Sequence, residues 1–167
     1  MRIAGTEFSL RNKSFEIYVQ GCYRHCPGCH NPETQPFDGG TKIDVVPWLS
    51  KQVVKVNKFD NLVKRIFITG GDLLCLDPRD AEDFIKSVKN AWPNKELWLF
   101  TGATKDTLPF WIWDYFNAVK CGPYDENLKQ KGFPASSNQV LIVNNDSIRD
   151  IKTLDFILEF KGGVEWI

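Results

Sequence analysis

Residues 65–101, RIFITGGDLLCLDPRDAEDFIKSVKNAWPNKELWLFT, decide the fold. RIFIT (65–69) and ELWLFT (96–101) are short runs rich in β-branched and aromatic residues, each bounded by Gly, Asn or Pro, and they read as strands. Between them Asp77 has the chemistry of an N-cap and Pro78 suits the first helical position, where a missing N–H costs nothing. Ala81, Phe84, Ile85 and Val88 then recur at helical spacing as one apolar stripe. Strand, loop, helix, strand is the right-handed β/α unit, whose two strands lie parallel.

Working outward, 15–21 (FEIYVQG), 118–121 and 139–143 (QVLIV) read as further strands. Val46, Leu49, Val53 and Val56 outline a second helix, with Pro47 tolerable because it falls in the first turn. The pattern predicts an α/β fold with a mainly parallel sheet. In such folds functional residues follow the carboxyl ends of strands, here in loops 21–40, 70–77 and 102–105. With 167 residues, 43% of them apolar, residues 1–167 are expected to form a single domain.

Twenty-one basic residues balance twenty-one acidic ones, which gives no net field to draw the chain to nucleic acid or an anionic membrane. The N-terminal residues lack the apolar run of a signal peptide, and no segment reaches the roughly 18 apolar residues of a spanning helix. A cytoplasmic protein is expected, without nucleic acid or membrane as partner. Five cysteines, three of them within eight residues, suit a metal in a reducing compartment better than a disulfide framework.

Those three, Cys22, Cys26 and Cys29, are spaced C-x3-C-x2-C directly after a strand. A cubane cluster is ordinarily held by four cysteines, so three leave one iron open to a ligand. The alternative is zinc, with Cys22, Cys26, Cys29 and either His25 or His30 in a tetrahedron, although no second CxxC or Cys-His pair accompanies them. Cys75 and Cys121 lie in other loops; each reads as a small buried hydrophobe without an assigned role. Gly70, Gly71 and Asp72 close the second strand with exposed backbone and a carboxylate, a combination suited to an ammonium group; alone it is an ordinary turn. Gly122-Pro123-Tyr124 and residues 135–139 read as turn chemistry. Phe110, Trp111, Trp113, Tyr115 and Phe116 read as core packing, with docking to another protein as the alternative for any exposed part.

The cysteine loop resembles that of the radical S-adenosylmethionine superfamily, and the string from Gly21 to Thr34 resembles the activating proteins of anaerobic (class III) ribonucleotide reductase. Gly70-Gly71-Asp72 is similar to the family's glycine-rich motif, 97–102 to its third strand, and Ser136-Ser137-Asn138-Gln139 to its C-terminal signature, so the resemblance spans roughly 15–143. The chain departs from the family with Leu73 and Leu74 after Gly-Gly-Asp, Cys121 in place of an Asp, and Pro134-Ala135 in place of Arg-Gly. Gly28 precedes the third cysteine where the superfamily often has an aromatic residue.

The resemblance implies a shortened partial β/α barrel. It implies a 4Fe-4S cluster on Cys22, Cys26 and Cys29, with S-adenosyl-L-methionine chelating the fourth iron. Gly70, Gly71 and Asp72 would take the methionine amino group, and the backbone around Gly28, Cys29 and His30 would border the adenosyl part. It further implies an oxidoreductase that places a glycyl radical on the large subunit of anaerobic ribonucleotide reductase, fed by flavodoxin or a similar reductant. The rivals are an activase of the pyruvate formate-lyase type, a radical enzyme acting on a small molecule, and a non-catalytic zinc-binding interaction domain.

Overall fold

A computed structural model describes residues 1–144 and 164–167. Its strands are β1 (Arg2–Ser9), β2 (Ser14–Val19), β3 (Thr41–Lys42), β4 (Arg65–Gly70), β5 (Glu96–Phe100), β6 (Ala118–Cys121), β7 (Val140–Val143) and β8 (Val164–Trp166). Helix α1 spans Val45–Asn57 and α2 spans Pro78–Ala91. The strands form one sheet in the order β3-β1-β2-β4-β5-β6-β7-β8.

The central unit folds as residues 65–101 predict. Asp77 caps α2 by accepting from the backbone N–H groups of Arg79 and Asp80, Pro78 opens the helix, and Ala81, Phe84, Ile85 and Val88 are all buried. In α1 the expected stripe holds at Leu49 and Val56, with Val53 packed against the main core, and fails at its first position. Val46 is 67% exposed, while the buried positions are Leu49, Gln52 and Val56. The helix thus buries a polar residue that hydrophobic spacing passes over.

The expectation of a mainly parallel sheet is corrected to a mixed one. β2, β4, β5 and β6 run parallel, as do β7 and β8. β1 pairs antiparallel with β2 and β3, and β7 antiparallel with β6. The reason lies in the connections, because a parallel return needs a crossover, usually a helix. Residues 10–13 are only a turn, and the helical structure between β6 and β7 is a three-residue 3-10 turn, Glu126–Leu128.

The sheet's two faces differ. Ile17, Val19, Ile66, Ile68, Leu97, Leu99, Val119 and Ile142 pack with the buried faces of α1 and α2 in the main core. Phe67, Trp98, Ala118, Leu141 and Val143 form a smaller cluster on the other face, joined by Phe100 and Phe133. Of the aromatic group, Phe116 is buried and Trp111, Trp113 and Tyr115 pack on the main core, whereas Phe110 is 86% exposed. No helix among the described residues is long and apolar enough to cross a membrane.

Candidate functional site

At the carboxyl ends of β2, β4, β5 and β6 a cavity of about 390 Å³ opens. Cys22, Cys26, Cys29 and His30 line one side, with Gly70, Gly71, Asp72, Thr101 and Gly102 beyond them. The segments that sequence placed at the strand ends therefore do meet. Gly28 is the exception among the expected site residues. It is not among the residues lining the cavity; it takes a positive φ of 71° and packs against Glu126 and Tyr124.

The cysteine loop has little regular structure, so its shape depends on side chains at its root. Gln20, buried, donates through Nε2 to the carbonyls of Glu33 (3.1 Å) and Pro36 (2.6 Å). Arg2 donates to the carbonyls of Gly39 and Asp38, each at 2.6 Å. Backbone bonds from Gly21 to Thr34 (2.8 Å) and from Cys22 to Gln35 (2.9 Å) close the loop on itself.

The opposite wall is tied down by Asp72, only 2% exposed. Its carboxylate accepts from Arg24 Nε at 2.6 Å, Thr101 Oγ1 at 2.8 Å, Gly102 N at 2.9 Å and Leu74 N at 3.0 Å. Such charge-assisted bonds both orient the loop and satisfy an acceptor that burial would otherwise penalise. Gly102 leaves room for Arg24 in this position, since a Cβ would lie 2.5 Å from Arg24 Cδ. The two walls also touch through backbone: a Cβ on Gly71 would lie 2.5 Å from the Gly21 carbonyl oxygen, which accepts from Asp72 N at 2.9 Å.

Cys121 packs in the main core as expected, and its burial pushes the thiol's pKa up. Cys75 does not behave as a buried hydrophobe. It is half-buried, and its sulfur lies with Cys22 Sγ and an Asp72 oxygen in a group whose atoms are all within 4.8 Å of one another. Its hydrogen bond to Cys22 holds the Cys22 thiol below the usual range and, together with burial, pushes Cys75 up.

The profile of the 4Fe-4S single cluster domain family matches residues 11–142. An anaerobic ribonucleoside-triphosphate reductase-activating protein of Pasteurella multocida (strain Pm70) is 31% identical over 137 residues, covering 75% of this chain and 84% of the relative. The chain belongs to this family of 4Fe-4S activating proteins. Proteins of the same name from Escherichia coli (strain K12) and Enterobacteria phage T4 are 30% and 29% identical over 141 residues, covering 84% and 85% of their own lengths.

The family's cluster suits the donors present. A single zinc ion bound at about 2.3 Å would gather its sulfurs to about 3.8 Å. Among the described residues only Cys22, Asp72 and Cys75 bring three ligand atoms within 4.8 Å of one another. Cys22, Cys26 and Cys29 line the same cavity without forming such a compact group among the described residues, and neither histidine joins them in one. His25 Nδ1 lies 3.4 Å from Gln35 Oε1, and the His30 ring packs on Tyr124 at 4.7 Å.

Sequence reading passed over Arg24, Thr101 and Lys120 on the cavity wall. It also undervalued Gly122, Tyr124, Ala135 and Gln139, read as turn chemistry but lining the cavity. Gln139 Nε2 donates to the Gly122 carbonyl at 2.9 Å, which joins the two segments. The sequence signal for Lys120 was a charge inside the otherwise apolar run AVKC.

Proposed function

We propose that the chain is a radical S-adenosylmethionine activase that generates a glycyl radical on anaerobic ribonucleoside-triphosphate reductase. One observation carries the reading: three cysteines and the Gly70-Gly71-Asp72 wall converge on one cavity, in a chain whose relatives are named as activating proteins of that reductase. Cys22, Cys26 and Cys29 hold three irons of a 4Fe-4S cluster. Gly70, Gly71 and Asp72 would receive the amino group of S-adenosylmethionine. Cys29 and His30, with the backbone at Gly28, border the adenosyl part. The chemistry such a centre supplies is one-electron reductive cleavage of the sulfonium, yielding methionine and a 5′-deoxyadenosyl radical that removes a hydrogen atom from the partner's glycine. The chain's own residues bind, orient and exclude water.

The finer fold and setting belong to the same proposal. Residues 1–167 form one domain, a shortened partial β/α barrel whose open carboxyl edge admits a protein loop. It works in the cytoplasm with flavodoxin or a similar reductant, where the five free cysteines stay reduced.

The test mixes the anaerobically reconstituted protein, dithionite, S-adenosylmethionine and the cognate reductase. A glycyl radical doublet in the electron paramagnetic resonance spectrum is expected, and it disappears when the partner's radical glycine is replaced by alanine. A doublet seen only with another glycyl radical enzyme would refute the named partner. Turnover of a small molecule with no protein radical would refute the activase reading.

A further inference from the structure

Cys75 follows the Asp72 wall in sequence, yet its sulfur touches the cysteine loop. The short turn Leu73–Cys75 is closed by a bond from Cys75 N to the Asp72 carbonyl at 2.9 Å, and Asp72 N bonds in turn to the Gly21 carbonyl at 2.9 Å. Cys22 and Cys75 are thereby held on either side of the place where the two loops join through backbone. Their sulfurs lie within 4.8 Å of each other, and the Cys75 sulfur also accepts from the Tyr23 backbone N–H. Both residues are half-buried. Cys22 lines the open cavity, whereas Cys75 is not among the lining residues.

A cysteine that serves only as a small apolar group sits among core side chains, as Cys121 does. Cys75 sits instead against a second thiol. Two sulfurs brought to about 2.05 Å make a disulfide, and here the backbone already brings the two segments together. Cys22 is the thiol that a small reagent entering the cavity meets, and Cys75 is its neighbour.

We infer that Cys22 and Cys75 form a thiol–disulfide modification site, which in the cluster-free chain reacts with a low-molecular-weight disulfide and withdraws one cluster ligand. Cys22 displaces one thiol from the small disulfide to give a mixed disulfide, and Cys75 then displaces the other. The two cysteines lose two electrons and two protons in all; the small disulfide takes them up and leaves as two thiols. A dithiol reverses the reaction. While the bond stands, Cys26 and Cys29 alone remain for iron, and a bound cluster blocks the bond in turn because Cys22 is committed to it. The inference rests on the assignment of Cys22 to the cluster in the reading above.

The experiment treats the full chain, cluster-free or reconstituted, with one equivalent of oxidised glutathione in the absence of oxygen. Disulfides are mapped by mass spectrometry of unreduced peptides, and iron uptake is then measured. Cluster-free wild type is expected to yield a linked Cys22–Cys75 peptide pair, to release about two equivalents of glutathione, and to take up iron about tenfold less until dithiothreitol restores it. Reconstituted protein should form about tenfold less of the bond. Cys75→Ala should take up iron fully when reduced and, after the same oxidation, should retain glutathione on the chain, because the resolving thiol is gone. A Cys26–Cys29 bond in place of Cys22–Cys75, a stable glutathione adduct on wild type, full iron uptake by oxidised wild type, or release of glutathione from Cys75→Ala as complete as from wild type would overturn the inference while leaving the activase reading in place. Failure of reduced wild type to take up iron would overturn the cluster assignment on which both rest.

Discussion

The two walls of the cavity are made by opposite means. The Gly70-Gly71-Asp72 wall hangs from a central parallel strand, and a buried carboxylate with four donors fixes it. The cysteine wall is a long irregular loop, pinned at its root by Gln20 and Arg2 and carrying three half-buried thiols. One wall is complete in the protein alone; the other presents ligands whose final positions a metal centre would set. The contrast follows from bonding, since hydrogen bonds preorganise a loop while thiolates gain most from metal.

If the walls divide labour in this way, substitutions should separate cluster from cosubstrate. The largest effect belongs to the cysteines. Serine at Cys22, Cys26 or Cys29 is expected to reduce bound iron from about four per chain to almost none after reconstitution. Serine at Cys75 or Cys121 should retain it. Cluster loss in Cys75→Ser as complete as in Cys26→Ser would break the division, because Cys75 belongs to the Asp72 side.

Asp72→Ala comes next. It should bind S-adenosylmethionine tenfold or more weakly while retaining full iron, and it should destabilise the fold by about 1–3 kcal/mol through donors left unpaired. Calorimetric titration and iron assay together check this. Unchanged affinity would remove Asp72 from the binding wall.

A smaller effect is expected at the loop's root. Gln20→Leu leaves the carbonyls of Glu33 and Pro36 without their donor, lowering stability in urea by about 1–2 kcal/mol. Iron binding at saturation should survive. If Gln20→Leu abolished it, the loop would be as preorganised as its opposite wall.

The smallest effect concerns Lys120 and pH. Its folded pKa of about 8 lies below the ordinary 10.5, so the unfolded chain binds more protons between those values and wild-type stability rises with pH there. Lys120→Met should melt a few degrees higher than wild type as apoprotein at pH 7, and the gap should narrow above about pH 8. A gap independent of pH up to 10.5 would show that Lys120 is not a desolvated cation.

The legible parts of the molecule were those with local causes. Asp77, Pro78 and the stripe of α2 encode a helix without outside help, and the three cysteines share one short loop. Direction is not local: QVLIV reads as a strand whichever way it runs, and only the absence of a crossover helix made β7 antiparallel. β1, RIAGTEFS, lacked the apolar run that marks the central strands, and pairing with β2 supplies its order. In the candidate site, Asp72 was visible but not what holds it, because Arg24 lies 48 residues away and Thr101 lies 29 away. Lys120 looked like a lone charge in a strand until the fold placed it on the cavity wall.

The meeting of Gly71 with Gly21 gives the cavity a spine. Main chain touches main chain there, with no side chain between to compress or rotate, so the spacing of the two loops at the base of the gap is set by backbone alone. A single added methyl group at Gly71 would force them apart.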